Sequence, residues 1–275
     1  MQKTLVITGG TSGIGRSTVE DLALEGWKIV ILARNEGKAK EVQSTVTGDI
    51  DFIHCDLSDL SSVSLAAKLV REKYLQIDVL LNNAGAMFIV REESVQGHEL
   101  SFAQNHLGHF LLTTEIMDVL LQSNARVINV SSTAHKMGRL DFEDLNWKSR
   151  RYSGIRAYGD SKLANIYFTK ELHNRFNQQG LTAYALHPGV VGTGFGQNWG
   201  GIYKRIVKLG HLFMIGPKTG AKTQIHIATK EGIEKHSGKY FAKSKPVKTA
   251  KQANEAEPAN QLWAVSEELV SAYRS

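Results

Sequence analysis

Short apolar runs alternate along the chain with longer stretches whose apolar residues recur at helical spacing. The runs predict strands at residues 4–7, 29–32, 52–55, 78–81, 126–130 and 182–186, and a short seventh strand at 238–241. The stretches between them predict helices, among them 61–73, 97–122 and one that begins near residue 157. Strands that alternate with helices indicate an α/β fold with one doubly wound parallel sheet of about seven strands and helices on both faces. No repeat or linker divides the chain, so we expect residues 1–275 to form a single domain.

A glycine-rich loop joins the first predicted strand to the first helix, and its composition suits a phosphate. Glycines let the backbone approach a pyrophosphate, and a helix N-terminus offers free N–H groups and partial positive charge. The spacing differs from the Gly-x-Gly-x-x-Gly of the best-known dinucleotide fingerprint, and a simple turn is the alternative. The predicted cofactor-binding residues of this loop are Gly9, Thr11, Ser12, Gly13, Ile14 and Gly15.

An arginine follows the second predicted strand. Arg34 and Asn35 stand where dinucleotide folds often carry an acid that holds the ribose hydroxyls, and Lys38 lies nearby. An arginine instead suits a 2′-phosphate, which it binds bidentately. We therefore predict that the cofactor is NADP(H) and that Arg34 and Asn35 contact it. The alternative is an arginine in a solvated loop.

Polar and turn-forming residues also follow the later strands. They are Asp56-Leu57, Asn83-Ala84-Gly85, Ser131-Ser132 and Pro188-Gly189. Ligands of parallel α/β sheets bind beyond the carboxyl ends of the strands. These residues are therefore expected around one cleft.

Tyr158 and Lys162 lie four residues apart on a predicted helix, so they point the same way, one turn apart. A phenol with a pKa of about 10 is a poor acid or base at neutral pH. A neighbouring ammonium lowers that pKa, and a tyrosine tuned in this way exchanges protons near pH 7. The spacing is also common on amphipathic helices, so a purely structural pair is the alternative.

Composition and charge narrow the class of protein. The chain has 275 residues, is 42% hydrophobic and contains one cysteine, Cys55, which suits a reducing compartment. No apolar run approaches the roughly 18 residues of a membrane span, and the first strand begins too early for a signal peptide, so we expect a cytoplasmic protein. The formal charge of +6 fits an anionic ligand, an acidic membrane or ordinary solubility. It does not favour nucleic acid, because aromatic stacking residues are not interleaved with the charges.

In this order the motifs resemble the short-chain dehydrogenase/reductases, and within them the retinol dehydrogenase-like and carbonyl reductase-like group. The resemblance covers nearly the whole chain and rests on the motifs above, on Asn105 and on residues 157–165. It implies a Rossmann-type fold and hydride transfer between NADP(H) and a carbonyl or alcohol. The catalytic residues that it implies are Asn105, Ser132, Tyr158 and Lys162.

The resemblance also implies a role for each residue. Tyr158 would exchange a proton with the substrate oxygen that Ser132 hydrogen-bonds. Lys162 would lower the pKa of Tyr158 and contact the nicotinamide ribose, and Asn105 would hold a water that links Lys162 to solvent. The nicotinamide would lie near Pro188, Gly189, Val191 and Thr193, and the adenosine side would be lined by Asp56, Leu57, Asn83, Ala84 and Gly85.

Residues 190–217 are interpreted as a substrate lid. They carry no acid, and Ile202, Ile206 and Leu209 recur at helical spacing with basic residues between them. If this face closes over the cofactor, the pocket is apolar and favours a lipophilic, retinoid-like aldehyde or ketone. Its basic edge would also suit peripheral contact with an anionic membrane. The alternative is a face that packs on the core.

Other functions and partners stay open at this stage. The alternatives are a steroid or polyol dehydrogenase of the same fold and a binding protein that senses NADP(H) with little turnover. Homodimers and homotetramers paired through helices are common in the family. His106 and His109 lie three apart on a helix, but no third metal ligand is evident, so packing or surface placement is the preferred interpretation and no metal is expected.

Overall fold

A computed structural model describes residues 2–189 and 215–274. Its strands form one eight-stranded sheet in the order β3-β2-β1-β4-β5-β6-β7-β8. The strands are β1 (Thr4–Thr8), β2 (Lys28–Ala33), β3 (Asp49–His54), β4 (Val79–Asn82), β5 (Arg126–Val130), β6 (Thr182–His187), β7 (Tyr240–Ala242) and β8 (Lys245–Val247). All neighbouring pairs are parallel except β7 and β8.

Helices cover both faces of this sheet, as predicted. They are α1 (Gly13–Leu24), α2 (Glu36–Thr45), α3 (Leu60–Lys73), α4 (Leu100–Phe102), α5 (Gly108–Glu115), α6 (Met117–Gln122), α7 (Gly154–Phe176), α8 (Pro217–Thr229) and α9 (Ala256–Val270). Buried side chains of α1, α2 and α8 form one hydrophobic core, and those of α3, α5, α7 and α9 form the other. The parallel strands are apolar on both sides because each side is covered.

The count of about seven strands was one too low. The missed strand is β8, which pairs antiparallel with β7. All three of its residues are exposed, and it contains Pro246, so it has no apolar pattern to detect. Proline and lysine are typical of a short edge strand, where they discourage pairing with another chain.

The single helix predicted at 97–122 is interrupted. Residues Ala103–Leu107 form a π-helical turn between α4 and α5, and the backbone bends again at Ile116 before α6. Gly108 follows the π turn where the chain passes close to Leu57, whose carbonyl oxygen would lie 2.7 Å from a Cβ at position 108. The apolar spacing therefore predicted the helical region correctly, but it contained no signal for the π turn, which depends on contacts across the fold.

Candidate active site

The glycine loop after β1 is shaped for close backbone contact. A Cβ on Gly15 would lie 2.2 Å from the carbonyl oxygen of Gly9, so only glycine fits there. Gly9 and Gly13 have positive φ angles of 70° and 56°, which glycine adopts without strain. Ser12 precedes α1 and makes no side-chain capping bond, so the first N–H groups of the helix point towards the end of β1 uncapped. Free N–H groups beside a glycine turn fit a pyrophosphate.

Asn83 ties this loop to the turn after β4. Its side-chain amide donates to the carbonyl oxygens of Thr8 at 3.0 Å and Gly9 at 3.3 Å. The backbone N–H groups of Asn83 and Ala84 both donate to the Thr8 hydroxyl, each at 3.0 Å. The two predicted cofactor segments thus form one hydrogen-bonded unit at the carboxyl edge of the sheet.

Arg34 and Asn35 mark the next position along the same edge. Arg34 is exposed and makes no ion pair with any residue in the described ranges. Asn35 caps α2, because its side-chain oxygen accepts from the N–H of Lys38 at 2.9 Å. By contrast, Arg16 on α1 is held by Glu20 at 3.0 Å and Glu41 at 2.7 Å. Arg34 is therefore free to bind an anion here, whereas Arg16 is engaged.

Asp56 and Leu57 close the turn after β3. Asp56 accepts from the N–H and hydroxyl of Ser58 at 2.9 and 2.6 Å, which fixes the carboxylate in its own turn. Leu57 is buried in the core beside α5. The structure thus places both residues at the predicted edge and gives each a structural partner there.

Asn105, Ser132, Tyr158 and Lys162 meet at the centre of this edge. The Nζ of Lys162 donates to the carbonyl oxygen of Val130 at 3.0 Å and lies 5.4 Å from the ring centre of Tyr158. Asn105 bonds both the N–H and the carbonyl of Ala86 at 2.8 Å and donates to Ser161 at 2.9 Å. A Cβ on Gly85 would lie 2.9 Å from Lys162 Nζ and 3.2 Å from Asn105 Oδ1. Gly85 thus leaves the room in which these two side chains meet.

The pKa values of the central pair are governed by burial. Burial raises the pKa of Tyr158 to about 12, and a hydrogen bond with the Ser132 side chain acts in the opposite direction. Burial lowers the pKa of Lys162 to about 7. In the protein on its own, the pKa of Tyr158 therefore shifts opposite to the predicted direction, because burial raises it and the group that lowers it is Ser132.

Some predicted site residues lie outside the described ranges. Val191, Thr193 and nearly all of the interpreted lid at 190–217 belong to this part. Pro188 and Gly189 are described, directly after β6, and Gly189 has a φ of 100°. Ile215 and Gly216 are the only lid residues described before Pro217, the first residue of α8.

Three further buried polar side chains, Gln224, His109 and His106, bridge separate elements of the fold. Gln224 on α8 donates to Thr18 at 2.6 Å and to the Asn83 side chain at 3.4 Å. His109 shares a 2.9 Å hydrogen bond with the Thr8 hydroxyl, and His106 shares one of 2.8 Å with Ser266. Both histidines are buried, which confirms packing for the pair. Within residues 2–189 and 215–274, no group of three or more His, Cys, Asp or Glu side chains is arranged to hold a metal ion.

Two further expectations concern the environment of Cys55 and the possibility of a membrane-spanning helix. Cys55 is buried, and burial raises the pKa of its thiol to about 12, so little of it is the reactive thiolate at neutral pH. Among the described helices, none combines the length and apolarity that crossing a bilayer requires.

The family follows from a comparison with known proteins. Residues 3–201 match the family model of the short chain dehydrogenases. The chain belongs to this family. Similar relatives are retinol dehydrogenase 13 of Homo sapiens, 40% identical over 280 residues that cover 98% of this chain and 84% of the relative, and retinol dehydrogenase 12 of Mus musculus, 38% identical over 98% of this chain and 86% of the relative.

Solved structures of short chain dehydrogenases share the fold. A protein from Mycobacterium paratuberculosis is 35% identical with a TM-score of 0.79, covering 98% of this chain and 94% of that one. An NAD(P)-dependent gluconate 5-dehydrogenase from Beutenbergia cavernae with bound NADP has a TM-score of 0.70 at 22% identity, covering 87% and 94%. A Brucella melitensis 3-ketoacyl-(acyl-carrier-protein) reductase with NADH has a TM-score of 0.69 at 19% identity, covering 87% and 95%. As a member of this family with retinol dehydrogenase relatives, the protein is an oxidoreductase that interconverts carbonyl and alcohol groups with a nicotinamide cofactor.

Proposed function

We propose that the protein is an NADP(H)-dependent oxidoreductase that interconverts a lipophilic, retinoid-like aldehyde or ketone with its alcohol. The observation that carries this proposal is the convergence of Ser132, Tyr158, Lys162 and Asn105 next to a loop that fits a pyrophosphate. The cofactor, when bound, supplies or accepts the hydride. The side chains of this chain handle the proton and hold the oxygen of the substrate.

In the direction of reduction, Tyr158 acts as the general acid and donates its phenolic proton to the carbonyl oxygen. Ser132 hydrogen-bonds Tyr158, so its hydroxyl is placed to orient the same oxygen. The pKa of Lys162, lowered by burial to about 7, lets its ammonium return a proton to the phenolate at neutral pH. The reverse reaction uses the same groups, with Tyr158 as the base.

Arg34 supports the choice of NADP(H). It is exposed beside the N-terminus of α2 and makes no ion pair within the described residues. A charge-assisted contact with a 2′-phosphate contributes about 1.5–3 kcal/mol, or roughly ten- to a hundredfold in affinity. Arg34→Asp should therefore erode or invert the preference for NADPH over NADH, measured as dissociation constants. Lys68→Asp makes the same charge change at an exposed position of α3 and should leave the preference unchanged. Equal wild-type affinity for both cofactors contradicts this assignment.

Exposed apolar side chains near the site support a lipophilic substrate. Met137 follows Ser132 by one short helix and is 48% exposed, and Ile155, one turn before Tyr158, is 52% exposed. Val90 is 70% exposed, and its segment packs on the start of α7 through Phe88. Polar side chains would be expected at the entrance of a site that binds sugars. The names of the retinol dehydrogenase relatives point in the same direction.

A panel of carbonyls and alcohols tests the function. Retinoid, steroid, polyol and short hydroxy-acid substrates are assayed with NADPH and NADP⁺ by the absorbance of the reduced nicotinamide. Lipophilic aldehydes or ketones should exceed small polar ones in kcat/KM by about tenfold or more, or ~1.4 kcal/mol of transition-state binding. Tyr158→Phe should remove nearly all turnover and keep cofactor binding. A polar substrate that wins supports the polyol alternative, and binding of NADPH without turnover across the panel supports a sensor.

The location and the assembly state belong to the same proposal. We expect a cytoplasmic protein with peripheral contact to anionic membranes, supported by the single buried cysteine and the charge of +6. Flotation with anionic and neutral vesicles tests the membrane contact. Light scattering tests for a homodimer or homotetramer. The faces of α5 and α7 that pack against α9 are buried within the subunit, so they are not available for contact between subunits.

A further inference from the structure

The Thr8 hydroxyl stands at the centre of a cluster of hydrogen bonds that fixes its proton. Its oxygen accepts from the N–H groups of Asn83 and Ala84, both at 3.0 Å, and lies 2.9 Å from Nε2 of His109. A hydroxyl oxygen has two acceptor positions and one proton to donate. The N–H of Ala84 and the N–H of Asn83, which is shared with the carbonyl oxygen of Leu81 at 2.9 Å, occupy both acceptor positions. The hydroxyl proton of Thr8 must therefore point to His109.

This proton decides the state of the imidazole. Nε2 of His109 accepts the Thr8 proton, so it carries none of its own, and the ring proton resides on Nδ1. Nδ1 lies 3.1 Å from the carbonyl oxygen of Asn105 and donates to it. A doubly protonated ring would direct a second N–H at an oxygen whose acceptor positions are filled. Burial, with a further contribution from Lys162, lowers the pKa of His109 to about 3, which agrees with a neutral ring.

The cluster is closed to solvent. Thr8 and His109 are each 1% exposed, and Asn105 is 0% exposed. Water therefore does not replace a lost partner, and a buried donor or acceptor left without one costs about 1–3 kcal/mol. The ring of His109 is thus required to satisfy two groups that belong to different parts of the fold.

We propose that His109 is a positioning residue of the active site: its neutral imidazole, protonated on Nδ1, joins the cofactor-side turn at Thr8 to the π-helical turn that carries Asn105. One ring nitrogen fixes the hydroxyl that holds Asn83 and Ala84. The other ring nitrogen fixes the backbone carbonyl of Asn105. The side chain of Asn105 in turn holds Ala86, which follows Gly85 in the turn after β4. The rigid ring therefore fixes the position of the pyrophosphate loop relative to the residues that transfer the proton. This role rests on the proposed function for its consequence, whereas the tautomer is a property of the protein alone.

The tautomer is tested first, on the protein without cofactor or substrate. Long-range ¹H–¹⁵N spectra of histidine-labelled protein should show, for His109, a protonated Nδ1 and a bare, acceptor-type Nε2 that does not titrate between pH 5 and 9. His135 should give the same tautomer pattern, because its Nδ1 faces the carbonyl oxygen of Ser132 and its Nε2 accepts from the N–H of Ala250. The signal that disappears in His109→Gln is assigned to His109 among the ten histidines. A His109 signal protonated on Nε2, or one that titrates in this range, overturns the proposal whether or not the protein turns over any substrate.

The consequence is tested by comparing two buried histidines of the same helical stretch. In His109→Leu the Thr8 proton and the Asn105 carbonyl lose their partner, so NADPH binding, followed by titration calorimetry, should weaken about tenfold or more. His109→Gln keeps an oxygen that can accept from Thr8 and should bind more tightly than His109→Leu. His106→Leu removes a buried histidine that contacts α9 instead, and it should bind NADPH like the wild type.

These outcomes separate positioning from structure. Equal NADPH affinities of folded His109→Leu and His106→Leu overturn the role of His109 in the site. Absence of NADPH binding by the wild type refutes the proposed cofactor and the positioning of its turn together, and the NMR result then stands alone. If His109→Leu does not fold, the comparison is made between His109→Gln and His106→Gln, where a selective loss of affinity or a shifted pH profile of turnover in the former supports the proposal.

Discussion

The helical stretch from α4 to α5 has two sides, each formed by residues four positions apart. One side makes polar contacts and the other makes aromatic contacts. One side presents Asn105, His109 and Thr113, which bond to the carboxyl edge of the sheet and to each other. The other side is formed by Phe102, His106 and Phe110, which pack against the aromatic rings of α7 and α9. The same residue type thus serves two purposes three positions apart. One helical stretch thus separates the contacts that stabilise the fold from those that set the geometry of the site.

Trp263→Ala is the strongest test of the apolar side. The indole on α9 lies 5.0 Å from the ring of Phe110, 5.9 Å from that of Phe168 and 4.5 Å from the guanidinium of Arg175. Removing a buried tryptophan should lower the free energy of unfolding by about 3–5 kcal/mol. Chemical denaturation measures this loss. Turnover per folded molecule should stay near the wild-type value at low temperature, and a specific loss of kcat in a stable variant would show that the two sides are not separate.

Lys162→Met tests the polar side. Methionine retains the length and the apolar stem of the side chain but removes the ammonium beside Tyr158. Turnover should fall about a hundredfold or more, equivalent to ~2.7 kcal/mol of barrier. The pH profile should lose the ionisation near neutral pH, in line with the pKa of about 7 for Lys162. The control is the midpoint of thermal unfolding, which should not fall, because a buried amine is replaced by an apolar group.

Gly85→Ala is a smaller change on the same side. The new methyl group would stand 2.9 Å from Lys162 Nζ and 3.2 Å from Asn105 Oδ1, so both side chains must shift. We expect about a tenfold decrease in kcat, or ~1.4 kcal/mol, with little change in stability. Gly37→Ala is the matched control on α2, where the nearest atom to a new Cβ lies 3.5 Å away. Equal activities of the two variants would mean that the close approach at Gly85 is not needed.

The pH dependence of stability tests what the two sides share. Burial lowers the pKa of both His106 and His109 from 6.5 to about 3. Between these pH values the unfolded chain binds more protons than the folded protein, so the free energy of unfolding should fall as the pH falls. Each histidine contributes at most about 1.4 kcal/mol per pH unit in this window. His106→Leu and His109→Gln should each reduce the slope by about one proton. An unchanged slope in either variant would mean that the native protein already binds a proton there.

Local pattern in the sequence was sufficient for much of the fold. β5 was predicted at its observed limits, β1 and β6 differ from the prediction by one residue at one end, and β2 and β4 differ by one residue at each end. Apolar runs bounded by turn residues predict such strands because both faces of the sheet are buried. The positions of Tyr158 and Lys162 on one helix followed from spacing alone. Their meeting with Ser132 and Asn105 was implied by the family resemblance and is now seen in the structure.

Other features depend on contacts between residues that are far apart along the chain. His106 and His109 are the same residue type in one apolar stretch, and the sequence pattern led to one shared interpretation for both. The fold sets His106 against Ser266 of α9 and His109 against Thr8 of β1. Burial of the central pair likewise reversed the predicted direction of the Tyr158 pKa shift. Periodicity reports which side chains point inward, but the proton that a buried group holds depends on the donors and acceptors that the folded chain brings to it.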